Sequence, residues 1–318
     1  VDRRIYAMLT VFSLGLFTGS FAGYAQPLKQ VDIGVPTNSS AWFPLYVAMK
    51  KNAFHEAGFR LRPIVMDARV AVAALVSKEV PYIAQMGSAI SGAGQGLPIK
   101  IVMAFAAKTH HVLVTSRDIS SPQDLRGRRV GISRPGATPH RELLAVLEKY
   151  KIEPSQVTVL GLGPDQNRML ALERGQVDAI VTGVPYNLLL EPKGFKTLLY
   201  IKDVIDMPLS ALTTHDDWMR EKRDEVRAFI ASALKATAYV KTHRSEVLPL
   251  LQEFIGLPDQ AMAALAYDAL RDVWPDDGLT SSQGLTNAIS LAGLPASTPL
   301  SRVVDWSIVK EAAAQIKR

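Results

Sequence analysis

From Val31 onward, short apolar runs of strand length alternate with stretches of helical periodicity, and the alternation occurs twice before residue 205. Strands joined through a crossover helix pair in parallel, and a parallel sheet must be covered by helices on its faces. The pattern therefore demands α/β units. In the first block, residues 31–35, 59–66, 82–86 and 99–105 read as strands, and residues 45–52 and 70–77 as helices. Pro44 stands where a first-turn proline is favoured. In the second block, strands are expected over 129–132, 157–160 and 179–181, with helices over 139–150 and 166–174. Residues 210–214 give one further strand.

Beyond residue 214 the pattern is almost wholly helical. Val226, Phe229, Ile230, Ala233, Leu234 and Val240 fall near one face at a 3.6-residue period, which predicts an amphipathic helix over 223–243. Further helices are expected around 247–254, 259–271, 282–292 and 306–316. Their apolar faces must be buried, and the economical solution packs this tail back on the first α/β unit, making that lobe discontinuous.

Residues 1–25 have another character. Asp2, Arg3 and Arg4 precede an apolar run over 5–17, and a small, polar stretch ends in Gly23-Tyr24-Ala25. This is the layout of a secretory signal peptide cut after Ala25. The apolar run is shorter than the ~20 residues that a membrane span needs. The expectation is a signal peptide over 1–25 and a mature protein that is soluble outside the cytoplasm, periplasmic or otherwise extracytoplasmic, exported by the general or the twin-arginine route.

Composition removes several kinds of chemistry. With no cysteine, the chain has no thiol nucleophile, no CxxC redox pair, no Cys-ligated zinc and no Cys-held iron–sulfur cluster. The 36 Lys and Arg residues against 30 Asp and Glu are scattered, unlike the basic stripe of a nucleic-acid binder. There is no GxSxG elbow, P-loop or HExxH spacing, and the run Gly92-Ala93-Gly94-Gln95-Gly96 reads as a helix end and turn. His110 and His111 are adjacent, and alternate residues of a strand face opposite ways, so they are not expected to hold one ion together. No catalytic residue, metal or cofactor is expected.

Several segments in order resemble a known family: Ile33-Gly34; Pro44-Leu45-Tyr46-Val47-Ala48 with Phe54 and Glu56-Ala57-Gly58; Met86-Gly87-Ser88; Gly96-Leu97-Pro98; and Asp124-Leu125-Arg126-Gly127-Arg128-Arg129-Val130-Gly131. Gly136-Ala137-Thr138-Pro139-His140, the stretch over 172–179, Asp277-Gly278 and Val304-Asp305-Trp306 continue the series. Together they are similar to the periplasmic solute-binding proteins of the nitrate, sulfonate and taurine type, relatives of the thiamine-pyrimidine synthase group. The resemblance implies a periplasmic binding protein-like type II fold, in which two α/β lobes are joined by two crossover strands and the helical C-terminal tail packs on lobe one. Lobe one would comprise residues 30–113 and 212–318, lobe two residues 114–211, with crossovers over 111–116 and 209–214.

In open α/β sheets ligands sit outside the carboxyl ends of the strands, where helix N-termini present free N–H groups. Four loops fit that description. After the first strand, Asn38, Ser39 and Ser40 can donate hydrogen bonds, while Trp42 and Phe43 either cover an apolar ligand or pack inside. Gly87 and Ser88 turn from strand to helix, as a ligand contact or as a simple turn. Gly136, Ala137 and Thr138 open the next helix, with Thr138 as N-cap and Pro139 at its first position; relatives carry serine where Ala137 stands. Thr182, Gly183 and Tyr186 follow the strand that begins at Ala179. There relatives place an aromatic and an acidic residue before the proline and this chain has Gly183-Val184, leaving no evident carboxylate for an ammonium group. His110 lies at the entrance to the first crossover, His140 in a first helical turn is either packed or in contact with ligand, and Asp178 reads as a structural strand-end residue.

The function implied is that of the extracytoplasmic substrate-binding component of an ABC importer. It would act as a monomer that captures a small-molecule ligand, either a small organic anion (sulfonate, nitrate or carboxylate) or a pyrimidine-type heteroaromatic compound, and delivers it to the ABC permease and ATPase subunits. The alternatives are a pyrimidine-synthase-like enzyme of the same fold, whose cysteine-rich iron motif this chain lacks, and a ligand-sensing module without transport.

Overall fold

The computed structural model describes residues 27–36, 39–295 and 297–316. The expected signal peptide and Asn38 lie outside the described residues. No helix among the described residues is long and apolar enough to cross a membrane.

The first block folds as β1 (Lys29–Val35), α1 (Phe43–Lys50), β2 (Phe59–Val65), α2 (Ala68–Val76), β3 (Tyr82–Ala84), α3 (Gly87–Gly94) and β4 (Ile99–Ala106). The second is β5 (His111–Thr115), β6 (Arg129–Ile132), α4 (Thr138–Lys149), β7 (Thr158–Gly161), α5 (Asp165–Glu173), β8 (Ala179–Gly183), α6 (Tyr186–Leu190) and β9 (Lys196–Tyr200). After β10 (Ser210–His215) come α7 (Asp216–Glu221), α8 (Arg223–Thr242), α9 (Arg244–Ile255), α10 (Gln260–Leu270), α11 (Ser282–Leu291), α12 (Leu300–Val303) and α13 (Ser307–Ile316).

Local chemistry sets many of these boundaries. Asp67 caps α2 by accepting from the Arg69 amide at 2.9 Å, and Asp259 and Ser281 cap α10 and α11 in the same way. Gly58 takes the left-handed conformation, φ +79°, that turns the chain from α1 into β2.

Two five-stranded sheets result, in the orders β2-β1-β3-β10-β4 and β7-β6-β8-β5-β9. β1 runs parallel to β2 and β3, with Lys29 opposite Phe59 and Val35 opposite Val65, and β6 runs parallel to β7 and β8. β10 is antiparallel to both its neighbours, and so is β5. This places the crossings differently from the sequence expectation. Residues 111–116 and 209–214 were expected to cross between lobes, but β5 is hydrogen-bonded from His111 onward inside the second sheet and β10 inside the first. The chain passes between sheets in 107–110 and 201–209, and each strand enters its new sheet reversed because it arrives from the other lobe.

The C-terminal helices close on the first sheet. Val304 bridges to Ile101, the Ala104 amide donates to Gly278 O at 2.7 Å, and the Ala107 amide to Val273 O at 2.9 Å. Val226, Phe229, Ile230 and Ala233 of α8 are buried in one core with Phe54, Tyr82 and Val309. β9 is a strand without a sequence expectation. Lys-Thr-Leu-Leu-Tyr lies half-exposed at the edge of its sheet, where one-sided pairing imposes no strong apolar run.

Candidate functional site

The carboxyl ends of β1, β3, β6, β7 and β8 converge on a cleft of about 500 Å³ between the two sheets. The first sheet contributes Ser39, Ser40, Gln85, Gly87 and Ser88. The second contributes His111, Ala137, Thr138, Asp165, Gly183 and Tyr186, and the first crossing contributes His110. Gly87 and Thr138 face each other so closely that a Cβ on Gly87 would stand 3.6 Å from Thr138 Oγ1.

Behind β1, Ser39 accepts from the Ala41 amide and opens a short 3-10 turn over Ser40–Trp42. The turn directs the Ser40 hydroxyl to His110 Nδ1 and, at 3.4 Å, to Val184 O, tying the first-sheet loop to the crossing and to the loop after β8. The same turn sends the aromatics inward. Trp42 and Phe43 are buried, with ring centroids 4.7 and 5.7 Å from Phe254, and Phe43 lies 5.6 Å from Trp274. They are not on the cleft wall: their rings pack against α9 and the segment around Trp274, where they are removed from water. Trp274 Nε1 donates to Ser40 O at 2.9 Å, so the tail also holds this loop from behind.

Three further expectations are corrected. The N-cap of α4 is Ala137, with Thr138 and Pro139 as its first two residues, because Ala137 keeps the extended backbone (ψ 167°) that a cap requires. No side chain caps this helix, and His140 Nδ1 instead accepts from the Gly136 amide at 3.0 Å. Thr182 is buried behind the wall, and its hydroxyl donates to Asp165 Oδ1 at 2.6 Å. His110 and His111 both line the cleft, their rings 4.9 Å apart, since His110 precedes the first paired residue of β5 and strand alternation does not govern it. No cluster of three or more metal-ligating side chains occurs among the described residues.

The site's electrostatics come mainly from residues that the sequence reading passed over. Burial, reinforced by neighbouring His111, pushes the His110 imidazole down to about 3, with Asp165 pulling weakly the other way; His110 is neutral at ordinary pH. His111 Nδ1 lies 2.6 Å from Glu142 Oε2. Glu142 is 0% exposed, and its Oε1 has no partner among the described residues. Asp165, the first residue of α5, supplies a carboxylate. Oδ1 accepts from Thr182, from the Gly183 amide at 3.1 Å and from Arg168, which is 2% exposed. Burial raises this carboxyl, but Arg168, Thr182, His111 and the Gly183 amide outweigh it and hold it below the usual range. Tyr186 OH accepts from Gln166 at 2.8 Å, which frees its own proton for a ligand. Asp178 pairs with the Arg129 guanidinium at 2.9 Å, away from the cleft, in the structural role expected of it.

The rule that singled out four loops covers Asp165 as well. It follows Gly163-Pro164 at the carboxyl end of β7, a fifth loop of the same kind. Nothing in the local pattern marks Glu142, which reaches His111 only through packing of α4.

Two α/β sheets facing across a cleft and joined by two short crossings define the periplasmic-binding-protein class of fold. The structure is similar to that of the periplasmic aliphatic sulphonate binding protein SsuA from Escherichia coli, with a TM-score of 0.72 and 17% identity over 87% of this chain and 97% of that one. Residues 39–247 match the family model described as NMT1/THI5 like, and the chain belongs to that family. Its relatives include the taurine-binding periplasmic protein of Escherichia coli K12, 27% identical over 235 residues and 72% of each chain. The riboflavin-binding protein RibY of Chloroflexus aurantiacus is 25% identical over 285 residues, 84% of this chain and 79% of RibY.

Proposed function

We propose that this chain is the extracytoplasmic substrate-binding component of an ABC importer, periplasmic after removal of residues 1–25 and acting as a monomer. The observation that carries the proposal is the cleft itself, walled by loops of both sheets and spanned, among the described residues, by two crossings. Two lobes so connected can close on a guest, and a ligand shifts them only through contacts that favour the closed form. The family's named relatives bind small molecules, which supports binding without turnover.

Residues 30–110 with 210–318 form the first lobe and residues 111–209 the second. Ser39, Ser40, Gly87, Ser88, His110 and Thr138 offer hydrogen bonds or close backbone approach to the ligand, and Ala137 and Gly183 shape its space. Gln85, His111 and Asp165 join them. The ligand is a small organic anion or a heteroaromatic compound, and Asp165 receives a donor group on it. The closed form docks on the permease and its ATPase.

Isothermal calorimetry against taurine, alkanesulfonates, nitrate, short carboxylates, pyrimidines and riboflavin, with solution scattering on the same samples, tests this. Saturable one-to-one binding by one class, with a fall in the radius of gyration, is expected. Binding by no class, or chemical conversion of a bound compound, would overturn it.

A further inference from the structure

The cleft continues past Gly87 and Thr138 into a second chamber of about 750 Å³, which also shares Ser88 and Ala137 with the first. Its charge is one-sided. Arg69 comes from α2 in the first lobe, Arg134 from the loop after β6, and Arg141 from α4 in the second lobe. No Asp or Glu lies on its walls, and Ser91 and Gln95 add only neutral polar groups. Arg134 lines both chambers and stands 3.7 Å from Asp67, which lines the first. Arg69 and Arg141 form no side-chain ion pair or hydrogen bond among the described residues, and burial pulls the Arg141 guanidinium below its ordinary value.

Arg60, Arg174 and Arg271 likewise form no side-chain ion pair or hydrogen bond among the described residues, but none of them lines either chamber of the cleft. Arg62 is paired with Asp32, Arg129 with Asp178, Arg223 with Glu311 and Arg244 with Asp268, all within 2.9 Å. In the second chamber like charges from opposite lobes border one cavity, so drawing the lobes together raises their repulsion unless an anion enters between them. Guanidinium forks match carboxylate and phosphate oxygens in geometry. There is also room for a molecule in two parts: pockets of roughly 300–1,000 Å³ hold drug-sized ligands, and here two chambers of that size adjoin.

Resting on the reading of the cleft as a ligand site, we propose that the ligand is an elongated molecule whose body lies in the first chamber and whose anionic end, a carboxylate or a phosphate ester, lies in the second among Arg69, Arg134 and Arg141. The anionic end cancels the repulsion that resists closure, so the second chamber both selects the ligand and couples its binding to the movement of the lobes.

The test uses probe pairs that differ by one terminal anion. Riboflavin with riboflavin 5′-phosphate reads the phosphate source; hexanoate with adipate and octanoate with suberate read the carboxylate source. Each is titrated by calorimetry into the wild-type protein, R69Q, and R69Q/R141Q, with thermal melting to verify that the variants are folded. In at least one pair the member with the extra anion should bind the wild type at least about tenfold tighter. The ratio should fall in R69Q and approach one in R69Q/R141Q. Equal affinities within every pair that binds, or a ratio that survives the double substitution, would overturn the second-chamber assignment and leave the binding function standing. Absence of binding by all six compounds would overturn the second-chamber assignment too, and the binding function would then stand or fall on taurine, the sulfonates, nitrate and the pyrimidines.

Discussion

Replacing His110 by Asn keeps a polar atom near the position of Nδ1, where Ser40 meets it, and removes the titration of the imidazole. In the folded protein His110 is 7% exposed, and burial followed by the field of His111 holds its value at about 3. In the unfolded chain it returns to about 6.5. Below pH 6.5 the unfolded state therefore binds a proton that the folded state refuses. The stability linked to this group is complete above pH 6.5 and is lost as the pH falls toward the folded value. Between pH 7.5 and 4.5 a folded value anywhere below about 4 gives a loss of about 2–3 kcal/mol. Urea unfolding followed by tryptophan fluorescence at pH 7.5, 6.5, 5.5 and 4.5, on wild type and H110N, measures it. The wild type should lose about 2–3 kcal/mol more than the variant over that range. Parallel pH profiles for the two proteins would refute a buried, neutral His110.

Two other substitutions test how the cleft is held. Trp274→Phe keeps an aromatic ring in the core but shrinks it and removes the donor to Ser40 O, a buried contact of 2.9 Å; it should lower the unfolding free energy by at least about 1–3 kcal/mol in urea titrations and weaken any ligand that touches Ser40. Asp165→Ala removes the acceptor shared by Thr182, the Gly183 amide and Arg168, and strands a buried guanidinium. A loss of about 3 kcal/mol is expected in the same assay. Because this carboxyl is held below its usual range, its contribution is complete above about pH 4 and falls in stronger acid, so the wild type and the variant should converge there.

Much of the fold was legible because burial leaves a period in the chain. The strand expected over 129–132 is β6 residue for residue, and the helices expected over 139–150 and 223–243 are α4 and α8 within about one residue at each end. Their apolar residues repeat at the spacing of the buried face, whatever that face packs against. β9 left no such trace, lying half-exposed at a sheet edge. For the site, the loops carrying Ser39, Ser40, Gly87, Ser88, His110, Ala137, Thr138, Gly183 and Tyr186 were legible from their position after strands, and all of these residues line the cleft. Gly136 lines the second chamber alone.

The sequence by itself determined the two α/β blocks, the helical tail and the loops able to meet a ligand, since each depends on residues close together in the chain. Tertiary structure alone decided that Trp42 and Phe43 face Phe254 and Trp274, that Glu142 stands behind His111, and that Asp165 supplies the carboxylate the loop after β8 lacks. It also decided that three arginines from opposite lobes share one chamber. A periodic pattern records that a face is covered and not what covers it, so contacts between segments a hundred or more residues apart are settled only when the sheets and the tail pack.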